Sequence, residues 1–563
     1  MASPIKVVIA FDFGTTYSGV SYAFRKPGQQ ANPSPVCRWP GDRTGRVTND
    51  VKVPTIISYS SQTEFKWGYQ VKLNDKSIVG IKLLLDPDQD KPSYLPGSGK
   101  KTSLKSLPKP AVDIASDYIG AVYSHALQEI RKSSVGGFFD TCGREIVLTV
   151  PAVWSDKAKA LTHQAATKAG LGHAMMIKEP EAAAIYTLSE QSLALKVEDT
   201  YIICDAGGGT VDLITYEVAN ESPLELAEVV PGSGGMAGAI GLNKRFEDAV
   251  RDLIGEIQMA ALKTIPDGWA LVLDQFETEI KRRFCGESDR PHYVHFPGIS
   301  LDDDQSYNLE SNTWCMQWQD LHEIFDPLVR DVIRLIDDQT QASRQKNPFR
   351  LIKAIFLVGG FGSNGYLKNR IEMSFPDMQI IQPSNASSAI MNGAVMYRLA
   401  DGPTVVSRQA TCHYGVEGLY HKRTPADNGR HTYYDPRDGS TRVERMRWHI
   451  TKGQELKEEK VKIHFIKMID NPYDRSDLDI EHTLFFSKAP SPQVYPDNKV
   501  IKCCIVKAFL WAARHTMKRI PVGANGKPYW TISYDVVVAA KASLEFSVEI
   551  NGKEYGSIEA SYE

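Results

Sequence analysis

Residues 201–212 read YIICDAGGGTVD, and residues 10–19 read AFDFGTTYSG. In both stretches an apolar run, typical of a buried strand, ends at an aspartate, Asp205 or Asp12, and continues into a turn that contains glycine and threonine. Three consecutive glycines are entropically costly in a mere connector, but they are useful where a backbone must approach a ligand closely. Because the same device occurs twice, the sequence predicts a duplicated architecture with a site between its halves.

Each of these two turns carries groups that can hold a phosphate chain. Successive backbone N–H groups of a tight turn bind phosphate oxygens, and a carboxylate at the strand end can hold the waters around a magnesium ion. The classical P-loop lysine motif is absent, and no dinucleotide fingerprint is evident. For either turn alone, an ordinary hairpin with Asx and threonine capping is the alternative.

A third glycine-rich turn follows later, where residues 353–367 read KAIFLVGGFGSNGYL. The pair Gly359 and Gly360 would let a flat ring or a sugar approach the main chain. Alanine-rich segments with helical character, such as residues 155–169, lie between the apolar runs. Strands that alternate with helices predict α/β layers.

The composition limits the classes of function. The 563 residues suffice for two or more domains, and 65 basic against 68 acidic side chains leave a net charge of −3, which does not imply nucleic-acid binding. The eight cysteines have neither disulfide-framework nor zinc-site spacing. No apolar run reaches the roughly 20 residues that a bilayer requires. We therefore expect a cytoplasmic protein that binds neither nucleic acid nor membrane.

The character of the sequence changes after about residue 400. From Val461 onward, alternating or β-branched runs such as VKIHFIKMI and YWTISYDVVVAA are separated by Asn, Pro and Gly turns. The Gly-Pro breaker in ADGPT, residues 400–404, indicates the boundary. The predicted domains are residues 1–400, with lobes of approximately 1–200 and 201–400, and a β-rich domain of residues 401–563.

These elements, in this order, resemble the nucleotide-binding domain shared by actin, sugar kinases and heat-shock chaperones. FDFGTTYSG, IVLTVPAVWSDKAK and KEPEAAAIY are similar to motifs of the 70-kilodalton heat-shock chaperone family, and DAGGGTVD is nearly letter-perfect for its second phosphate loop. The resemblance covers roughly residues 5–400. It implies an α/β, ribonuclease H-like, two-lobed actin-like ATPase domain that binds ATP or ADP with Mg²⁺.

The resemblance also implies roles for individual residues. Asp12 and Asp205 would orient the waters around magnesium, and Glu179 would help to hold the attacking water or the metal shell. Lys82, in VGIKLLLD, matches the lysine that contacts the γ-phosphate, with a surface lysine as the alternative. The implied phosphate contacts are Gly14, Thr15, Thr16 and Tyr17 for the β-phosphate and Gly207, Gly208, Gly209 and Thr210 for the γ-phosphate, with Asp212 just behind.

The adenosine side departs from the family pattern. FETEIKRRF resembles the helix that embraces ribose and base, which suggests Glu277, Lys281 and Arg282; a charged, exposed helix face is the alternative. Ser363 stands where the chaperones stack an arginine on the base, beside Gly359 and Gly360, and Ser387 replaces an expected acid. We therefore expect the adenine to be bound more weakly or in a different arrangement.

The whole pattern predicts an ATP-hydrolysing chaperone that acts on polypeptides. The region after residue 400 resembles a truncated, diverged substrate-binding sandwich without a full lid, and the family's linker is not recognisable. Such a sheet could bind an extended or unfolded polypeptide, or serve only as a packing partner. A small-molecule kinase of the same superfold and a nucleotide-binding scaffold without significant turnover are the alternatives; the sequence names no co-chaperone.

Overall fold

The chain divides into two compact units, Met1–Val405 and Val406–Glu563. The predicted boundary segment, residues 400–403, lies outside the residues that the structure describes. The computed structural model describes residues 6–25, 32–41, 50–72, 75–86, 107–132, 136–190, 195–399, 404–421, 425–457, 461–540 and 544–555.

The first lobe of the first unit is built on a mixed sheet. Its strands, in spatial order, are Ser34–Pro35, Tyr17–Arg25, Lys6–Asp12, Gly143–Val150 and Met175–Lys178, with Val53–Pro54 also paired to the second of these. A small sheet of Phe65–Trp67, Ile56–Tyr59 and Ile78–Val79 is added to this lobe. The helices are Ala111–Lys132, Asp156–Ala166 and Glu179–Glu190, with short helical turns at Gly68–Gln70, Ile81–Leu85, Gly136–Thr141 and Thr167–Leu171.

The second lobe repeats this plan. Its sheet strands, in the corresponding order, are Leu224–Gly235, Val211–Glu221, Thr200–Ala206, Ile352–Val358 and Gln379–Ile381. The helices are Ile240–Thr264, Gly268–Gln275, Lys281–Arg283, Trp318–Lys346, Gly365–Ser374 and Ala389–Leu399, with a π-helical turn at Phe276–Ile280 and a short helical turn at Gln305–Tyr307. A small separate sheet consists of His292–His295, Thr313–Met316 and Leu309–Glu310. The predicted duplication is thus present as two sheets with the same strand order.

The same connections occur in both lobes. In each, an antiparallel hairpin is followed by a helix, a strand parallel to the first strand, a second helix, a further parallel strand and a closing helix. Asp12 and Asp205 end the two first strands, Lys6–Asp12 and Thr200–Ala206, at or beside the last paired residue. Since ligands bind outside the carboxyl ends of parallel strands, this repeat brings the two aspartates to one site.

Alternating side chains of the first strands pack into two different cores. Val7 and Ile9 join the core of the first lobe, whereas Val8 and Ala10 join a central core. The same alternation places Ile202 in the core of the second lobe, and the two closing helices, Glu179–Glu190 and Ala389–Leu399, complete the central core. The period of two expected of a strand buried on both faces therefore connects the two lobes.

The closing helices touch at their backbones. A Cβ atom at Gly393 would overlap the carbonyl oxygen of Ala182. The neighbouring Asn392 accepts a hydrogen bond on Oδ1 from Ser21 Oγ at 2.8 Å. Only glycine allows this close crossing, which fixes the two halves of the site against each other.

The second unit is β-rich, as predicted. The first of its two main sheets contains the strands Thr432–Asp435, Ser440–Ile450, His413–His421, Asp479–Ser487 and Ile501–Phe509. The second contains Lys518–Ile520, Val461–Ile469, Tyr529–Ala540, Leu544–Ile550 and Lys553–Glu554. In addition, the strand Thr404–Gln409 pairs with Glu455–Lys457, and short helical turns lie at Pro425–Asp427, Ser476–Leu478 and Trp511–Thr516. One hydrophobic core contains residues of both main sheets, such as Leu484 and Ile532. Among the helices within the described ranges, none is long and apolar enough to cross a membrane.

The helix crossing can be tested by adding one methyl group. We expect Gly393→Ala to lower the free energy of unfolding by about 1–3 kcal/mol, because the new Cβ must displace the backbone of the facing helix. Gly120→Ala is the matched control, since Gly120 also lies inside a helix but its Cβ would make ordinary contacts, the nearest at 3.5 Å from the Ala169 oxygen. Urea denaturation of the full chain measures both changes; equal midpoints for the two variants would contradict the proposed close crossing.

Candidate functional site

Asp12 lies at the centre of the cleft between the lobes and is only 2% exposed. Its Oδ2 accepts a hydrogen bond from Lys52 Nζ at 2.8 Å, and its Oδ1 accepts one from Thr149 Oγ1 at 2.9 Å. Burial raises the pKa of Asp12, but the positive charges of Lys52 and Lys82 outweigh it, so the pKa lies below its ordinary value. Asp12 is therefore ionised and both its oxygens are engaged.

Asp205, the counterpart in the second lobe, is 4% exposed and differently placed. Its Oδ1 is buried and has no hydrogen-bond partner among the described residues. Burial, together with the nearby charges of Asp212 and Asp12, raises the pKa of Asp205 to about 7. A buried carboxylate oxygen without a donor is costly, and it indicates a position where a ligand or its water would bind.

Glu179 and Lys82 form a second buried pair in the cleft. Lys82 Nζ donates to Glu179 Oε1 at 2.6 Å and lies 5.5 Å from the centre of the Trp154 ring. Burial raises the pKa of Glu179 to about 8, despite the opposing charge of Lys82. Lys82 is 4% exposed, so the structure places it in the cleft and not on the surface.

The two predicted phosphate turns face each other. A Cβ atom at Gly208 would collide with the side chain of Thr16, and one at Gly209 would lie 2.7 Å from Thr15 Cγ2. The absence of side chains in the second turn therefore lets it meet the threonines of the first.

Backbone hydrogen bonds fix the shape of the second turn. The Gly207 N–H donates to the Thr210 carbonyl at 2.9 Å, which closes the turn. The Ile240 N–H donates to the Gly208 carbonyl at 2.8 Å, which ties the turn to the start of the following helix. Asp212 is buried behind the turn, where its Oδ1 accepts from the Val153 N–H at 3.4 Å, and burial raises its pKa.

The third turn packs on the end of the second-lobe strand. The N–H groups of Phe361 and Gly362 both donate to the Ala206 carbonyl at 2.9 Å. Gly359 has a φ of +90°, and a Cβ there would crowd the Ala206 carbonyl, whereas a Cβ at Gly360 would meet open space. Gly360 is thus the point where the main chain is open to a ligand.

The charged residues predicted for the adenosine side do come together. Burial raises the pKa of the Tyr17 hydroxyl, Glu277 adds to the rise and Arg282 opposes it, so both charged side chains lie near Tyr17. Lys281 Nζ donates to Asn243 Oδ1 at 2.8 Å, and Asn243 Nδ2 donates to Glu277 Oε1 at 2.7 Å, so Asn243 bridges the lysine and the glutamate. Burial lowers the pKa of Lys281, whose side chain is 16% exposed, whereas the side chain of Glu277 is 40% exposed and Arg282 lies at the surface.

Ser363 and Ser387 do not supply charge near this cluster. The Ser363 hydroxyl donates to the Gly360 carbonyl at 2.7 Å and so closes the third turn on itself. At the position of Ser363, the chain therefore has no side chain that could stack on a base, where the family resemblance implies an arginine.

Sequence reasoning missed three residues of the site, Lys52, Thr149 and Asn243. Thr149 is the second-last residue of the strand Gly143–Val150, which pairs with Lys6–Asp12. A polar side chain at the carboxyl end of a predicted strand was therefore a signal that could have identified it. Lys52 and Asn243 carry no local signal, because their contacts arise only when distant segments pair.

Magnesium is the metal that the fold implies for this site, and the residues present fit it. Asp12 and the unpartnered oxygen of Asp205 are hard oxygen ligands of the kind that bind Mg²⁺ or its waters. Within the described ranges, no group of three or more His, Cys, Asp or Glu side chains could hold a metal ion directly. A hydrated ion, held through water and phosphate, is the form that suits this arrangement.

Comparison with known proteins points to one family. A family model described as Hsp70 protein matches residues 119–397. Human heat shock 70 kDa protein 12A is 26% identical over 513 residues, which cover 73% of this chain and 72% of that protein. Human heat shock 70 kDa protein 12B is 26% identical over 519 residues, which cover 76% of this chain and 72% of that protein. The chaperone protein HscA homolog of Chromobacterium violaceum is 29% identical over 224 residues, which cover 37% of this chain and 32% of that protein.

The raised pKa values of Asp205 and Glu179 predict how stability without ligand depends on pH. Between about pH 4 and 8 the folded protein retains protons that the unfolded chain releases, so this contribution is complete at low pH and is lost as the pH rises through about 7 and 8. Each such proton weakens folding by about 1.4 kcal/mol per pH unit. We expect Asp205→Asn to show a flatter decline of melting temperature between pH 5 and 7 than the wild type.

The exposed carboxylate Asp377, in the same lobe, provides the control for this experiment. Asp377→Asn should reproduce the wild-type slope. If Asp205→Asn also keeps that slope, Asp205 does not bind a proton in this range and its environment is not as described.

Proposed function

Because this chain is a divergent member of the Hsp70 family with its two-lobed actin-like ATPase fold, we propose that it binds ATP and ADP with Mg²⁺ between the lobes and hydrolyses ATP. The observation that carries the proposal is the pair of strand-end carboxylates, Asp12 and Asp205, buried beside two turns that face each other. That arrangement suits a phosphate chain and a hydrated cation.

The reaction we propose is an in-line attack of water on the γ-phosphorus, in which the bond from that phosphorus to the β,γ-bridging oxygen breaks and ADP leaves with the bond's electrons. Neutralisation of phosphate charge is the chemistry that bound magnesium supplies. Asp205 would hold the waters around the ion through its carboxylate, and the backbone N–H groups of the two turns would contact the phosphate oxygens. Because no covalent intermediate is needed, positioning and charge stabilisation supply the rate enhancement.

Glu179 and Lys82 are proposed to handle the attacking water. The pKa of Glu179, at about 8, is close to the range in which a carboxylate exchanges protons efficiently at neutral pH. Lys82 Nζ, 2.6 Å from Glu179 Oε1, orients that carboxylate and brings a positive charge toward the γ-phosphate. Thr210, buried at the end of the second turn, is proposed to hydrogen-bond a γ-phosphate oxygen.

The adenosine is proposed to lie beside the cluster of Glu277, Lys281 and Arg282. Gly360 leaves the main chain open to the nucleoside. The Ser363 hydroxyl, already used by the Gly360 carbonyl, cannot replace a stacked guanidinium. Weak adenine recognition is therefore part of the proposal.

We propose that the β-rich unit binds extended or unfolded polypeptide, so that the protein acts as a molecular chaperone. The unit exposes large apolar side chains, among them Tyr434, Tyr473 and Ile466. Exposed apolar and aromatic side chains on sheet structure suit extended polypeptide. The free cysteines, none in a disulfide, agree with a reducing compartment such as the cytoplasm.

A scaffold that retains nucleotide without turnover is the second candidate. The observation in its favour is Asp12, because Lys52 and Thr149 occupy both of its oxygens. Such an occupied carboxylate would be less available to the reacting centre.

Steady-state hydrolysis and calorimetric binding separate these candidates. We expect Asp205→Asn to lower kcat for ATP hydrolysis by about 100-fold, the usual scale for loss of one preorganised electrostatic group, while the exposed Asp377→Asn variant keeps the wild-type rate. If the wild-type protein binds ADP but hydrolyses ATP no faster than Asp205→Asn does, the protein is a nucleotide-binding scaffold. Absence of nucleotide binding would refute the proposed site.

Unfolded polypeptide should raise the ATPase rate if the β-rich unit acts on it. The test compares a reduced, unfolded protein with its native form, and both with a panel of sugars. Stimulation by the unfolded form alone is expected. An ATP consumption that rises with a sugar would instead identify a small-molecule kinase.

A further inference from the structure

Lys52 is a cation built into the centre of the cleft. Asp12, Glu179, Asp205 and Asp212 bring four buried carboxyl groups together. Lys82 pairs with Glu179, and Lys52 pairs with Asp12 through a 2.8 Å contact between Nζ and Oδ2.

Several contacts hold Lys52 in this position. It directly precedes the strand Val53–Pro54, which pairs with Tyr17–Arg25 where the first phosphate turn ends. The Thr55 N–H donates to the Thr16 carbonyl at 2.7 Å, and the Tyr69 hydroxyl donates to the Lys52 carbonyl at 3.3 Å. The main chain that follows Lys52 is thus bonded to the first turn, and Tyr69 holds the Lys52 carbonyl.

Gly19 makes room for the stem of this lysine. A Cβ at Gly19 would lie 3.2 Å from Lys52 Cγ and 3.3 Å from the Val51 carbonyl oxygen. The side chain of Lys52 is 17% exposed, against 3% for Asp12. The charges of Asp205 and Glu179 also act on its ammonium group, so this group lies close to acids of both lobes.

The electrostatic environment keeps Lys52 charged. Burial alone lowers the pKa of Lys52, but Asp12, Asp205 and Glu179 more than offset this, and the pKa lies above its ordinary value. An ammonium group 2.8 Å from Asp12 Oδ2 removes part of the repulsion that the acids would exert on a phosphate chain.

We propose that Lys52 is a tethered cation that takes over, at Asp12, part of the charge neutralisation that magnesium provides, so that nucleotide binding depends only weakly on Mg²⁺. The inference rests on the proposed function, since it concerns nucleotide bound at the same site. A tethered ammonium group is present without being captured from solution, and a lysine head is a compact point charge with three donors. It can therefore contact Asp12 and a phosphate oxygen at once.

The test measures the dissociation constant of ADP by calorimetry, once with excess magnesium and once with EDTA. The ratio of the two constants reports the dependence on magnesium. We expect a ratio below about tenfold for the wild type and a ratio at least about tenfold larger for Lys52→Met, on the scale of one charged hydrogen bond. Lys66→Met is the matched control, because Lys66 is exposed on a neighbouring strand of the same lobe and pairs with Asp75.

Lys52→Gln guards against loss of folding, since a glutamine can still donate to Asp12 while carrying no charge. It should show the same increase in the ratio as Lys52→Met. A ratio that is equal in the wild type and both variants would overturn the proposal, and so would a wild type that loses ADP binding in EDTA but binds with magnesium. If the wild-type protein binds ADP neither with magnesium nor in EDTA, the proposed function itself is refuted. Binding with magnesium alone would refute only the proposed role of Lys52.

Discussion

Four carboxyl groups buried in one cleft are the constraint on which this structure depends. An isolated buried charge is disfavoured by several kcal/mol, so each acid must be paired, protonated or supplied with a ligand. Lys52 and Lys82 satisfy two of them, at Asp12 and Glu179. Asp205 is left with a buried oxygen that has no hydrogen-bond partner among the described residues, and with a raised pKa. A hydrated cation, as proposed above, would bring Asp205 the hydrogen-bond donors that the neighbouring side chains do not supply.

The duplicated topology is what makes such an assembly possible. Each lobe ends its first strand at an aspartate on the carboxyl edge of a sheet, and the crossing at Gly393 holds the two edges together. Because the first strands pack alternately into the lobe cores and the central core, a shift of either strand by one residue would exchange the side chains of those two cores and move the aspartate away from the strand end. The same packing that stabilises the fold thus fixes the positions of the acids.

Local patterns were sufficient to predict the duplicated fold and the two aspartates, since a strand, an aspartate and a glycine turn are adjacent in sequence. The resemblance to a known family was needed for Lys82, which lies among apolar residues without a motif of its own. Neither local patterns nor the family resemblance identified Lys52. Its contact with Asp12 joins residues 40 positions apart and depends on how the strand Val53–Pro54 pairs with Tyr17–Arg25. The β-rich unit was predictable from alternating residues, but its binding properties depend on surfaces that no local pattern defines.

The two sides of the cleft differ in how much of the expected chemistry they provide. On the side proposed for the phosphates, Lys52 and Lys82 contact buried acids at 2.8 and 2.6 Å. On the side proposed for the base, the Ser363 hydroxyl donates to the Gly360 carbonyl, and Lys281 donates to Asn243. Charged contacts to phosphate are stronger than neutral contacts to a base. If nucleotide binds here as proposed, its affinity must therefore come mainly from the phosphate chain, and discrimination between nucleobases must be correspondingly weak.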